Sequence, residues 1–302
     1  MTRLLCIGMG YCAAAVARSL AAQGWAIAGT SRTAKGVAAI DAMGFAGHGF
    51  DGAGVGLDLL PAIDRVTHLL VSVAPGATAD LVLATCGPHL TDAPHLRWIG
   101  YLSTVGVYGD SGGAWVDEDT PPAPRQERTI RRLDAEQAWL DFGASNRCSV
   151  QIFRIGGIYG PGRNPLRQLL DGVAQRIVKP GQVFNRIHVD DIAQGVVAGI
   201  DRGQPGRIYN LTDDEPAAPD VVVEHAAQLL AIAPPPLIAF AQARLSPMAA
   251  SFYADNRRVR NQRLRGELGV SLRYPTYREG LAALAAALRQ SGAAPTIGTD
   301  RE

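Results

Sequence analysis

Short apolar runs alternate with stretches of helical periodicity along the first half of the chain. The first run, 4–7, leads into two glycines, an alanine-rich helical stretch at 12–22 and a second apolar run at 25–29. Further apolar runs follow at 67–75, 96–104 and 149–157. Runs that are apolar on both faces and alternate with helices are typical of a parallel sheet that is covered on both sides and joined by right-handed crossovers. The pattern therefore predicts an α/β fold.

The pattern changes after residue 160. A loop-rich, proline-interrupted segment is followed by the segment 185–201, in which Asp190 or Asp191 is expected to cap an amphipathic helix, and by one more strand at 206–213. We therefore predict a larger domain and a smaller carboxyl-terminal lobe over the carboxyl edge of the sheet. The predicted boundaries are 1–160 and 187–212 for the larger domain, 161–186 and 213–290 for the lobe, and 291–302 for a flexible tail.

The composition is that of a folded, soluble protein. Of the 302 residues, 47% are hydrophobic and 19% are charged, which gives no case for disorder. The formal net charge is +1 and the arginines are spread along the chain, so we expect no nucleic-acid partner. No apolar run is long enough to cross a bilayer, and we expect no membrane partner.

Cysteine spacing gives no indication of a metal site or a disulfide framework. The four cysteines are Cys6, Cys12, Cys86 and Cys148. We expect free thiols in a reducing compartment, no bound metal and a cytoplasmic location. The amino-terminal 22 residues also have the apolar pattern of a signal peptide, but Arg18 and the two glycines argue against cleavage and export.

The glycine turn after the first apolar run has the pattern of a phosphate-binding turn. Gly8 allows a tight turn out of the strand, Gly10 leaves room for a pyrophosphate, and Ala13 stands where helix and strand pack closely. The free amides and the dipole of the following helix attract phosphates. We therefore predict dinucleotide binding here, with a purely structural turn as the alternative. The predicted contacts at this turn are Gly8, Gly10, Tyr11, Cys12 and Ala13.

The end of the second apolar run indicates which nicotinamide nucleotide is bound. An acidic residue at this place holds the ribose hydroxyls of NAD, whereas Thr30, Ser31 and Arg32 offer hydroxyls and a guanidinium suited to the 2′-phosphate of NADP. We therefore predict NADP, with NAD as the alternative. Asp51 is expected either to accept a hydrogen bond from the adenine amino group or simply to form a turn before Gly52.

Four ordered motifs carry a resemblance to a known superfamily. They are GMGYCA at 8–13, LSTVGVYGD at 102–110, RIGGIYGPGR at 154–163 and RIHVDDIAQG at 186–195. Over residues 2–285 the chain resembles the extended short-chain dehydrogenase/reductase superfamily, of the NAD-dependent epimerase/dehydratase type. The resemblance implies a Rossmann-type doubly wound parallel sheet that holds a nicotinamide nucleotide, with a smaller lobe for the substrate. It also implies that Val73 and Ala74 line the cofactor.

The same resemblance assigns candidate catalytic residues. Relatives use a Ser or Thr after one central strand and a Tyr-x-x-x-Lys pair on the next helix, where the Lys lowers the pKa of the Tyr. The first of these positions falls at Thr104, and the pair falls at Arg128 and Arg132. None of the eight tyrosines is followed four residues later by Lys. A guanidinium stays protonated and cannot replace the phenol as a general acid. The resemblance also assigns pocket positions: Ser103, Tyr108, Tyr159 and Arg163.

The sequence allows two interpretations of the helix at 128–139. In one, Arg132 contacts the nicotinamide ribose or an anionic substrate, and Tyr108 or a water molecule supplies the proton. In the other, Arg132 and Glu136 form an i,i+4 pair on a solvated surface. Ile130, Leu133 and Leu140 form an apolar stripe on the opposite side of an ideal helix.

The sequence therefore predicts an NADP(H)-binding oxidoreductase or an epimerase/dehydratase-like enzyme. Its expected substrate is a small polar molecule, with a nucleotide sugar as one candidate. The alternative is a catalytically inactive NADP(H)-binding sensor or scaffold protein. His188 is expected to be structural, and Arg257 and Arg258 either bind an anionic group or are solvated. Relatives often dimerise through the helix that carries Arg128, so a homodimer is also expected.

Overall fold

The computed structural model describes residues 2–291. The strands are β1 (Arg3–Ile7), β2 (Ala26–Ser31), β3 (Ala46–Gly49), β4 (His68–Val71), β5 (Trp98–Thr104), β6 (Trp115–Val116), β7 (Ser149–Ile155), β8 (Gly157–Tyr159), β9 (Arg176–Val178), β10 (Arg186–His188), β11 (Ile208–Leu211), β12 (Leu237–Ala239) and β13 (Arg258–Val259). The helices are α1 (Tyr11–Ala21), α2 (Ala34–Ala42), α3 (Leu60–Asp64), α4 (Leu81–Thr91), α5 (Glu127–Asn146), α6 (Pro165–Leu170), α7 (Val189–Arg202), α8 (Pro219–Leu229), α9 (Pro247–Phe252), α10 (Gln262–Gly266) and α11 (Tyr277–Gln290). The predicted tail overlaps residues 292–302, which lie outside the described residues.

The main sheet has seven parallel strands in the order β11-β7-β5-β4-β1-β2-β3. The chain runs outward from β1 to β3, returns to β4 on the other side of β1, and continues to β11. This reversal of strand order between β1 and β4 creates a crevice at the carboxyl ends of these strands, where open α/β sheets bind ligands. The fold class is thus confirmed as α/β, with a Rossmann-type doubly wound parallel sheet.

Both faces of this sheet are buried, as the continuous apolar runs require. Neighbouring strand residues point to opposite faces, so Leu4 and Cys6 pack with α1 and α7, while Leu5 and Ile7 pack with α3, α4 and α5. Removing apolar side chains from water on both faces is the main force that holds the helices on the sheet.

A smaller hydrophobic core lies apart from the sheet. It is formed by α6, α8 and α11 around Leu166, Val222 and Leu281. Part of the predicted lobe is placed differently, because Leu264 and Leu268 pack in the core of the main sheet with α1 and α7. The segment at 264–272 therefore packs with the larger domain, although the sequence assigned it to the lobe.

One prediction about the helices is wrong. The side chain of His188, rather than that of Asp190 or Asp191, caps α7 by accepting a hydrogen bond from a backbone amide. On α5 the apolar stripe is divided, since Ile130 is 42% exposed and Leu140 packs against the core, whereas Glu136 on the other side is buried. The polar face of α5 lies against the sheet, so its charged residues need partners there.

Candidate active site

The glycine turn after β1 has the geometry of a phosphate-binding turn. Gly8 has φ +89°, a left-handed conformation that favours glycine, and a Cβ on it would lie 2.8 Å from Cγ2 of Val73. Its amide donates to Oγ1 of Thr30 at 2.9 Å. Thr30 is fully buried, and its hydroxyl holds the turn. This placement does not favour the predicted contact from Thr30 to NADP, which stays a prediction.

The amino terminus of α1 is open to a ligand. Gly10 is the N-cap and supplies no side chain for the first amides of the helix, and a Cβ on Gly10 would meet no atom of the chain within 4 Å. Cys12 and Ala13 bury their side chains in the core, and burial raises the pKa of the Cys12 thiol to about 11. Tyr11 donates its hydroxyl to the carbonyl of Pro161 at 3.0 Å. What these residues can offer a pyrophosphate is thus backbone amides, which fits the group.

Polar groups at the end of β2 differ in their exposure. Ser31 is partly exposed and its hydroxyl lies 3.5 Å from the amide of Thr33. Arg32 is exposed, and no hydrogen bond or ion pair to its guanidinium is found within residues 2–291. Asp51 accepts a hydrogen bond from the amide of Ala53 at 2.9 Å, which is the geometry of the turn-forming alternative.

Arg132 points at the carboxyl edge of the sheet. Its Nη1 donates to the hydroxyl of Tyr101 at 3.0 Å and lies 3.1 Å from the carbonyl oxygen of Leu102 and 3.4 Å from that of Val73. The guanidinium therefore bridges the ends of β4 and β5. The alternative of a solvated Arg132–Glu136 pair is wrong, because Glu136 is buried and paired with a different arginine. Ala74, beside Val73, is exposed at the same edge.

Thr104 and Ser103 lie in different surroundings at the end of β5. Thr104 is partly exposed, and its Oγ1 accepts a hydrogen bond from the amide of Gly106 at 3.1 Å. Ser103 is buried and donates its hydroxyl to Glu136. This placement does not favour the predicted contact from Ser103 to substrate, which stays a prediction, whereas Thr104 remains accessible to solvent.

A buried ion pair lies beneath Thr104. Nη2 of Arg154 is 2.7 Å from Oε2 of Glu136, its Nε is 3.1 Å from the same oxygen, and both side chains are 2% exposed. Burial alone lowers the pKa of Arg154, but the hydrogen bonds and charge of Glu136 raise it above its ordinary value. This pair was not predicted from the sequence, although an arginine within the apolar run at 149–157 was an available signal.

Tyr108 points away from the crevice. Its hydroxyl donates to Oδ1 of Asn210 at 2.8 Å, and the guanidinium carbon of Arg154 lies 4.8 Å from its ring centroid. Burial raises the pKa of Tyr108 above its ordinary value. A buried, already bonded phenol of raised pKa is poorly suited to exchange a proton with substrate, so this placement does not favour the predicted catalytic role.

The motif around Tyr159 connects the two cores. The Tyr159 ring packs edge-on against His188, and its hydroxyl lies 3.4 Å from the carbonyl oxygen of Thr276. Burial raises the pKa of Tyr159 far above its ordinary value. The predicted substrate contact from Tyr159 is therefore not supported by its position, whereas Arg163 is exposed at the turn that Tyr11 contacts.

The beginning of α5 carries a further cation. The guanidinium carbon of Arg128 lies 4.2 Å from the ring centroid of Phe252, and its Nε donates to Oε1 of Gln126 at 2.9 Å. Gln126 in turn donates to the carbonyl of Ser251 at 2.6 Å. These contacts dock α9 against the start of α5. Sequence patterns could not locate Phe252, because it is separated from Arg128 by more than a hundred residues.

Residues 2–291 contain neither a membrane-spanning helix nor a cluster of metal ligands. No helix there combines the length and the apolar character that crossing a membrane requires. No group of three or more His, Cys, Asp and Glu side chains with the arrangement of a metal site is found in that range.

Comparison with known proteins finds one family model and several relatives. The model of the NAD dependent epimerase/dehydratase family matches residues 95–212. The chain is 28% identical over 245 residues to Protein YeeZ of Escherichia coli strain K12, covering 78% of this chain and 86% of that protein. It is 48% identical to a functionally unknown conserved protein from Silicibacter pomeroyi, whose structure superposes with a TM-score of 0.86 over 95% of this chain and 99% of that one.

A more distant structure shares the fold. The dTDP-glucose 4,6-dehydratase of Bacillus anthracis, solved in complex with NAD, is 18% identical, with a TM-score of 0.76 over 96% of this chain and 97% of that one. The crevice at the β1/β4 switch point and the glycine turn agree with these comparisons. Residues 95–212 therefore resemble the NAD dependent epimerase/dehydratase family, and the whole chain shares the fold of an NAD-bound member of that kind.

Proposed function

We propose that the protein is an NADP(H)-dependent oxidoreductase or epimerase/dehydratase-like enzyme that acts on a small polar substrate. The observation that carries the proposal is the convergence of three features on one crevice. The glycine turn and open start of α1 offer backbone amides to a pyrophosphate, Arg132 bridges the ends of β4 and β5, and Thr104 is accessible beside it. Relatives that act on nucleotide sugars make such a molecule one candidate substrate.

The preference for NADP rests on the end of β2. Arg32 is exposed there, and its planar guanidinium suits bidentate recognition of a 2′-phosphate. The sequence 28–33 contains no acidic residue to accept hydrogen bonds from the ribose hydroxyls of NAD. We expect NADPH to bind more tightly than NADH, with Arg32 as the source of the difference.

The chemical roles follow from the side chains at the crevice. A bound nicotinamide supplies hydride transfer to or from the substrate carbon. Thr104 donates a hydrogen bond to the reacting oxygen, and the permanent charge of Arg132 stabilises negative charge near the sheet edge. Since the phenol of Tyr108 is bonded to Asn210, a water molecule held by Thr104 is the better candidate for the proton donor.

The test combines cofactor binding with turnover. Titration with NADPH and NADH, followed by fluorescence and by melting temperature, is expected to show binding of NADPH. A panel of aldehydes, ketones and nucleotide sugars is then assayed for NADPH turnover. Thr104→Ala is expected to abolish turnover on any active substrate while cofactor affinity stays within about twofold of the parent value, because the loss concerns the transition state. Unchanged turnover in this variant would remove Thr104 from the mechanism.

A second candidate function is a sensor or scaffold that binds NADP(H) without chemistry. It is favoured by the chain's lack of a Tyr-x-x-x-Lys sequence and by the inward orientation of Tyr108. Sustained turnover on any member of the substrate panel would exclude this candidate. The two-lobed organisation and a homodimer remain predictions, the latter to be tested by light scattering.

A further inference from the structure

Two arginines from distant segments lie near the loop that follows Thr104. Arg257 donates a hydrogen bond from Nη1 to the carbonyl of Gly109. At the other end of the same loop, α5 approaches Gly106, where an added Cβ would lie 3.0 Å from Cγ2 of Thr129. Arg128 immediately precedes Thr129 on α5, and its charge acts on Arg257 and on Asp255. The loop at 105–109 is therefore contacted by Arg257 and by the α5 residue next to Arg128.

The guanidinium of Arg128 is held on one side and free on the other. Phe252 stacks against it at 4.2 Å, and Gln126 binds its Nε. No hydrogen bond or ion pair to its Nη1 or Nη2 is found among the described residues. Stacking on an aromatic ring fixes the plane of a guanidinium, which leaves its two outer nitrogens as a fork for a planar or tetrahedral oxyanion.

Arg257 is more deeply placed and is also incompletely bonded. Its side chain is 13% exposed, and its Nη1 lies 3.4 Å from Oδ2 of Asp255. Its Nε is buried and has no hydrogen-bond partner within residues 2–291. Burial lowers the pKa of Arg257, and the charge of Arg128 lowers it further. A buried donor without a partner is costly, so a ligand that accepts from it is favoured.

The charges around this loop do not balance. Arg125 lies 3.7 Å from Asp110, and Arg257 lies next to Asp255, whose charge also reaches Arg128. Three guanidiniums thus lie near two carboxylates, which leaves one positive charge over. Asp110 is further engaged, because its Oδ1 accepts from the amides of Gly112 and Asn256. Arg257 is only 13% exposed, so an anion beside it is bound more strongly than at an open surface.

We propose that Arg128 and Arg257 together bind an oxyanion of the substrate, a carboxylate or a phosphate, beside Thr104. The inference rests on the proposed function for the identity of the reacting site, but the anion site itself is defined by this chain's residues alone. The substrate class is then an anionic carbonyl or alcohol compound whose charged group lies next to its reacting carbon.

Isothermal titration with inorganic phosphate at constant ionic strength tests the site directly, first with saturating NADPH and then without it. We expect one phosphate site that NADPH leaves in place. Arg128→Met and Arg257→Met are each expected to weaken phosphate binding at least about tenfold, because each removes a charge-assisted hydrogen bond. Arg131→Gln is the matched control, since it removes a charge from the same helix at a residue that pairs with Glu127, and it should change affinity less than about twofold.

Asp255→Asn gives a test of opposite sign. Removing the carboxylate that competes for both guanidiniums is expected to tighten phosphate binding several-fold, a result that a merely structural role would not produce. Phosphate binding that NADPH displaces and that survives Arg128→Met would belong to the cofactor site and would overturn the proposal. Weaker or unchanged phosphate binding in Asp255→Asn would also overturn the proposal. This variant tests the anion site even if both arginine variants fail to fold.

The same titrations separate this inference from the proposed function. Failure of NADPH to bind with the phosphate site intact would contradict the proposed function only. Normal NADPH binding without a phosphate site that depends on Arg128 and Arg257 would contradict the anion site only.

Discussion

Neutralising Glu136 is expected to destabilise the protein more than loss of any surface ion pair. The perturbation is Glu136→Gln, which keeps the shape of the side chain and removes its charge. In the parent protein Arg154 makes two close contacts to Glu136, at 2.7 and 3.1 Å to Oε2, and both residues are 2% exposed. The variant leaves the guanidinium buried without a counter-charge.

The magnitude follows from what remains around Arg154. Removing one partner of a buried ion pair costs about 3–5 kcal/mol. The ring of Tyr108, 4.8 Å away, offsets at most about 2 kcal/mol by cation–π attraction, but it does so in the parent as well. Nη1 of Arg154 already lacks a partner among the described residues, so no spare acceptor is at hand. We therefore expect a loss of about 3 kcal/mol or more in the free energy of unfolding.

Urea unfolding followed by circular dichroism measures this loss. At roughly 2 °C per kcal/mol for a protein of this size, the melting temperature should fall by at least about 6 °C. Asp171→Asn is the control, because it removes an exposed i,i+4 pair with Arg167 and should cost under about 1 kcal/mol. The double variant Glu136→Leu/Arg154→Met is expected to recover much of the stability. A Glu136→Gln protein as stable as the Asp171→Asn control would refute the reasoning.

Three further predictions concern the cofactor turn and the interface between the cores. Arg32→Glu is expected to weaken the binding of NADPH about tenfold or more and to leave the binding of NADH nearly unchanged, as measured by fluorescence titration. An equal loss of affinity for both nucleotides would show that Arg32 does not bind the 2′-phosphate. Gly8→Ala is expected to lose at least about 1 kcal/mol of stability and most cofactor affinity, because Gly8 has a positive φ and Val73 lies close to it. Gly10→Ala is the comparison, and it should leave the stability unchanged. Burial raises the pKa of Asp191 from 3.8 to about 6. Between those pH values the native state therefore binds more protons than the unfolded chain. The contribution of Asp191 to the free energy of unfolding falls as the pH rises through that window. Asp191→Asn should flatten the decline seen in urea midpoints between about pH 4 and pH 6, and an unaltered decline would contradict this assignment.

The sequence was sufficient for the fold because the main sheet is buried on both faces. Apolar runs at 67–75, 96–104 and 149–157 each contain an observed strand. The tight turn predicted at Gly8 is observed at that residue. These features depend on local periodicity and on the conformational freedom of glycine, which a single chain displays directly. The same alternation together with right-handed crossovers only narrows the possible strand orders, and the observed order comes from the structure.

Side-chain directions at the crevice could not be read in the same way. Thr30 and Ser103 are polar residues at strand ends, where functional groups are expected, yet both turn inward to hold Gly8 and Glu136. Tyr108 turns inward because Asn210, about a hundred residues later, offers an acceptor. Each outcome depends on a partner from another element, so local pattern carries no information on it.

The polar face of α5 shows how one misassigned helix face changes the functional interpretation. Arg128, Arg132 and Glu136 follow one another at four-residue intervals, a pattern that is equally compatible with a solvated surface. In the structure Glu136 is fixed in the interior by Arg154, one turn earlier Arg132 reaches the sheet edge, and a further turn earlier Arg128 stacks on Phe252. At 1.5 Å per residue these three levels span about 12 Å along the helix. The buried pair therefore fixes α5 against the sheet, and with it the level at which Arg132 meets the ends of β4 and β5.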